Sequence, residues 1–165
     1  MRTRRLVILL SCLVAAAVAA EETGKLPDPC LEDLFIGDDQ LKVEAALRNG
    51  GWETSDEWYN TGTDPIYRLR GEMDNRKLLY EFDVYGRLYC LTYLEQWNSI
   101  DGCNDAFATW SEWLKLYYGE PGEEDKGQTF WITGGYDIRI YNQSFIAGES
   151  TMPTVMITIF PVRVP

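Results

Sequence analysis

Glu81 and Asp83 come nearest, of all the side chains in this chain, to a catalytic spacing. On one strand they would share a face with Cα atoms about 6.6 Å apart. Glycoside hydrolysis uses carboxyl groups roughly 5 to 9.5 Å apart. Such pairs normally converge on a cleft from different elements, whereas neighbouring strand carboxylates ordinarily form a solvated face. The second reading is adopted. Histidine is absent altogether, which removes a Ser-His-Asp triad, a Cys-His pair and any His-ligated zinc. Neither a catalytic residue nor a cofactor is expected, and the chain is read as a non-enzyme.

The other constellations are weaker still. Asp101 to Asp105, with Asn104, places oxygen ligands around a glycine, but it lacks the ligand order of a calcium loop. It reads as the N-terminus of a helix, and no metal site is assigned. The acids of Glu120, Glu123, Glu124 and Asp125 read as a loop first and a cation site second. Asn142-Gln143-Ser144 matches a glycosylation sequon and is treated as chance. Aromatic residues make up 13% of the chain, more than a small core requires. Trp52, Trp58, Tyr59, Trp97 and Trp131 are the candidate binding residues, as a stacking platform for a sugar or a hot spot for a partner. The alternative is that they cover the sheet.

Compartment follows from the first twenty residues. Arg2, Arg4 and Arg5 precede the apolar run Leu6 to Val14 and the small residues Ala15 to Ala20. The run is too short to cross a membrane and has the order of a secretory signal peptide, residues 1–20, cleaved after Ala19 or Ala20. Leu9-Leu10-Ser11-Cys12 also resembles a lipoprotein box, though apolar residues rather than a polar tether follow it. An exported protein, periplasmic or secreted and without a transmembrane segment, is expected. The formal charge is −11, and losing three leader arginines makes it more acidic. Such a chain repels nucleic acid, leaving a protein partner, a basic one above all, or a glycan.

Three cysteines follow the leader: Cys30, Cys90 and Cys103. In an oxidising compartment two should pair. Cys90 falls mid-strand and Cys103 at the start of a helix beyond the strand's far end, too distant for a disulfide. A Cys30–Cys103 bridge is therefore expected, with Cys90 a buried free thiol beside Leu88 and Leu94.

The elements that would position these residues emerge from periodicity. Residues 21–34 read as an extended arm. A helix starts near Gly37 as N-cap, with Ile36 and Leu41 as a staple, and stops at Asn49-Gly50-Gly51. Strands follow at Trp52 to Tyr59, Tyr67 to Met73, Leu78 to Val84 and Leu88 to Trp97. A second helix begins near Asp101 or Asn104 and ends at Tyr118, stopped by Gly119 and Pro121. Strands at Gln128 to Thr133, Tyr136 to Ile140 and Val155 to Ile159 complete the chain. Residues 35–160 should form one α+β domain: an antiparallel sheet of about six to seven strands with two helices packed on one face.

The helix entry Ile36-Gly37-Asp38-Asp39-Gln40 through Leu47, ending in Gly50-Gly51-Trp52, is similar to that of small exported bacterial α+β domains. The beta-lactamase inhibitor protein and the small outer-membrane assembly lipoproteins are examples. Tyr118-Gly119-Glu120-Pro121 resembles the helix end of such domains. The resemblance covers about a fifth of the chain, implies a non-catalytic protein-binding module, and carries over no functional residue. An inhibitor of a basic enzyme is one concrete form; a carbohydrate-binding module or a carboxylate-dependent glycan-active enzyme is the alternative.

Overall fold

The computed structural model describes residues 34–60, 65–125, 127–133, 135–143 and 152–162. Residues 1–33, Cys30 included, lie outside these, and with them the expected leader and most of the expected arm. The described chain is mixed α and β and mostly sheet. Helix α1 (Gln40–Asn49) precedes strands β1 (Glu53–Asn60), β2 (Pro65–Met73), β3 (Arg76–Phe82) and β4 (Leu88–Gln96). Helix α2 (Ile100–Tyr118) follows, then β5 (Glu123–Asp125), β6 (Gln128–Thr133), β7 (Tyr136–Asn142) and β8 (Thr154–Pro161).

All eight strands join one antiparallel sheet in the order β1-β2-β3-β4-β8-β7-β6-β5. The sheet is larger than the expected six to seven strands because Glu123–Asp125, read as a loop, pairs with Gln128–Phe130. Last in sequence, β8 is inserted between β4 and β7, with Ile157 opposite both Tyr93 and Ile140. Its apolar positions Val155, Ile157 and Ile159 are all buried, as a strand at the centre of a sheet requires.

Register puts the buried residues on one face. Leu78, Tyr80 and Phe82 of β3 sit beside Tyr93 and Leu91 of β4, which adjoin β8 and then Ile138 and Ile140 of β7. Helix α1 lays Leu47 against the β2 backbone at Gly71, where a Cβ would stand 2.6 Å from Leu47 Cδ2. That close approach accounts for a glycine inside a strand. Helix α2 brings Trp110 edge-on to Tyr93, ring centroids 5.2 Å apart.

Two helix entries differ from expectation. Asp39, not Gly37, caps α1, its carboxylate accepting from Lys42 N at 3.0 Å. Gly37 is one turn earlier at φ +101°, its N–H donating to Leu88 O. Leu41 is exposed, so the Ile36–Leu41 staple does not form. Ser99 caps α2, accepting from Gly102 N at 3.1 Å, and the helix ends at Gly119 with φ +81°, as its sequence implies.

Candidate functional site

The best-furnished recess lies where the start of α2 passes the end of β4. Strand alternation sends Tyr93 and Glu95 to one face of the sheet, and Trp97 follows just beyond β4. Helical spacing brings Asp105 and Thr109, and Ala106 and Trp110, along one side of α2. Together with Arg76 they line a groove of about 360 Å³. Trp110 closes one wall: its indole N–H donates to Glu95 Oε2 at 2.9 Å, and its ring meets Trp113 edge-on at 5.8 Å.

Trp97 forms the other wall. Its backbone N–H donates to Pro153 O at 2.8 Å, and its ring lies over Gly102, where a Cβ would stand 2.9 Å from Cε3. That contact explains a glycine in the first turn of a long helix despite its cost. The Trp97 indole nitrogen is buried and has no hydrogen-bond partner among the described residues. An unsatisfied buried donor is costly, so this atom gains from any acceptor brought to it.

Acid outweighs base in the groove. Neither Glu95 nor Asp105 forms an ion pair among the described residues. Arg76, which also lines it, stands across from Glu95 in the strand register and lies over the Trp52 ring at 5.7 Å, with Nη2 3.3 Å from Met73 Sδ. The rings of Trp97 and Trp110 and the excess of carboxylate suit a cation, attracted by ring faces and by opposite charge.

The expected aromatic platform is dispersed. Trp52 is buried beside Gly71 at the end of α1. Trp131 is 1% exposed, its N–H donating to Gly119 O at 2.8 Å. Trp58 stands on β1, 70% exposed and 5.2 Å from the Tyr67 ring; the side chain of Tyr59 lies outside the description. Of the five, Trp97 alone lines the groove. Its companions there, Tyr93, Glu95, Asp105 and Trp110, were read only as strand or helix positions. The signal for them was weak: Glu95 is an acid on the apolar face of β4, and Trp110 has a polar edge that needs an acceptor.

The remaining candidates are used structurally. Strand β3 ends at Phe82, so Asp83 is not on it; its carboxylate accepts from Tyr85 N and Arg87 N in the turn, each at 2.9 Å. Glu81 accepts from Arg68 and from Tyr89 Oη, so the two carboxylates form no catalytic pair. Burial first, then the Glu81 charge, raises the Tyr89 phenol. Among the described residues no group of three His, Cys, Asp or Glu side chains could hold a metal.

Cys103 is fully enclosed, its thiol donating to Asn142 Oδ1 at 3.3 Å, while Asn142 Nδ2 donates to Asn104 Oδ1 at 2.7 Å. The sequon amide is thus buried and in use. The expected bridge from Cys103 runs to Cys30, outside the described residues. Among the described residues Cys90 is free and buried, but not beside Leu88. A bulge at Glu81/Phe82 leaves Leu88 opposite Phe82, on the other face from Cys90 and Glu81. Burial, then the Glu81 charge, pushes the Cys90 thiol up to about 12.

No helix among the described residues is long and apolar enough to cross a membrane. Compared with known proteins, the chain matches no family model, no curated protein and no solved structure.

Proposed function

We propose that this protein is an exported, non-catalytic binding module that takes a cationic side chain of a basic protein partner into the groove between α2 and β4. The observation that carries this is the lining: Tyr93, Trp97 and Trp110 with two carboxylates, Glu95 and Asp105, against the one base Arg76, and no ion pair to either acid among the described residues. An arginine or lysine presented on a backbone answers the charge of the site, facing its rings and acids. The net charge of −11 steers such a partner toward the surface. The leader, residues 1–20, supports export to the periplasm or beyond, and the resemblance to small exported domains points the same way. An inhibitor of a basic enzyme remains the most concrete form.

The packing of Leu47 on Gly71 and of Trp110 on Tyr93 supports a layout with both helices on one face of the sheet. The groove then opens beside α2 on that face. The second reading is a glycan ligand, because stacked rings with carboxylates also suit sugar faces and hydroxyls. Titration with a blocked Gly-Arg-Gly peptide and with neutral oligosaccharides, followed by indole fluorescence, separates the two. The peptide is expected to bind, and Glu95→Gln or Asp105→Asn to weaken it. Saturable oligosaccharide binding without a response to the peptide sinks the first reading.

A further inference from the structure

The two edges of the sheet are finished differently. At one edge β5 has three residues, and so short a strand offers little backbone to a newcomer. At the other, β1 has eight residues in unbroken register with β2 from Glu53↔Glu72 to Asn60↔Pro65. It carries no proline, no lysine and no bulge; its charged residues are acids, which guard the edge against an acidic strand but not against a basic one. About 26 Å of strand therefore presents outward N–H and C=O groups, and among the described residues only β2 pairs with it.

Side chains on this edge specify a partner. Glu53, Asp56 and Glu57 are its charged residues, all exposed; Glu57 already pairs with Arg68 at 3.0 Å and Arg70 at 3.6 Å. Trp58 rests against Tyr67 with most of its surface free. Like charges directly opposite one another destabilise a strand pair, so a second copy of this edge is disfavoured and a basic strand is favoured. We infer that β1 is a strand-addition edge for an extended, basic segment of a partner protein. Lysine or arginine in that segment stands on the face of Glu53 and Glu57, and an apolar residue covers Trp58 on the other face. Backbone hydrogen bonds give affinity, and the alternating side chains give selection. This surface is separate from the groove beside α2, and either can fail without the other.

The probe is a blocked eight-residue peptide of alternating lysine and valine, with two variants N-methylated at the lysine or at the valine amides. An added strand uses one of these amide sets and turns the other to solvent. One methylated variant should lose binding about tenfold or more while the other keeps it. The outward-facing amides among residues 53–60, those not bonded to β2, should exchange at least tenfold more slowly in the complex, and Trp58→Ala should weaken it about tenfold. The glutamate–valine analogue should not bind. Four outcomes overturn the inference: no binding of the lysine peptide, equal binding by both methylated variants, outward-facing β1 amides already protected in the free protein, or a dimer formed through β1.

Discussion

Trp97 and Trp131 flank the same helix and are the same residue, yet one is finished and the other is not. Beyond the C-terminus of α2, Trp131 is sealed and its N–H meets Gly119 O at 2.8 Å. Near the N-terminus, Trp97 lies over Gly102, borders open space and has a buried N–H without a partner among the described residues. A sealed, satisfied tryptophan contributes to stability; an unsatisfied one at a groove is poised for a ligand. Residue type does not separate these roles. What separates them is whether every polar edge has been answered within the fold.

The largest expected effect tests the sealed side. Trp131→Ala removes a wholly buried ring and should cost about 3–5 kcal/mol in denaturant unfolding. Trp97→Ala should cost less than half of that, because part of its ring already faces solvent and its N–H is unmet, while abolishing peptide binding. Equal stability losses would erase the distinction.

Gly102→Ala sharpens it. Alanine should gain about 1 kcal/mol of helix propensity, but its Cβ would press on the Trp97 ring. Stability should change little while groove binding falls about tenfold. Unchanged binding would mean that the Trp97 position does not matter. Ser99→Ala, which removes the α2 cap beside the groove, should cost about 1 kcal/mol and weaken binding only modestly, by calorimetry.

The two buried thiols differ in their surroundings. Cys103 donates to Asn142, whereas Cys90 lies beside the Glu81 carboxylate with its pKa raised from 9.0 to about 12. The protonated thiol is the form the folded state favours. Its contribution is present below the unfolded value near pH 9 and is lost as pH rises to about 12. Alkylation of folded protein by iodoacetamide should leave Cys90 unmodified at pH 8. Rapid labelling there would contradict the burial.

How much of this was legible follows the same division. Alternation in Arg76–Phe82 and the stop at Gly119 and Pro121 are local signals, and both elements sit where they point. Strand β5 was not legible, because Glu123–Asp125 has no apolar alternation and is defined by backbone pairing with β6. Nor was the place of β8, since contact between the last strand and β4 is a long-range event. The groove was half visible. Trp97 stood out by type, but Glu95, Asp105 and Trp110 become neighbours only when α2 folds back beside β4. Trp52 and Trp131 stood out equally and proved to be core, because type and loop proximity do not report which face closes.

The most direct test of the groove uses the six tryptophans as separate reporters. Each indole N–H gives its own nitrogen–proton correlation peak, assignable by single Trp→Phe variants. Titrating a blocked Gly-Arg-Gly peptide, too short to add a strand, should move the Trp97 and Trp110 peaks together along one saturable curve. The Trp131, Trp52 and Trp58 peaks should stay in place. If Trp97 and Trp110 do not respond while Trp58 or Trp131 does, the groove beside α2 is not the binding site.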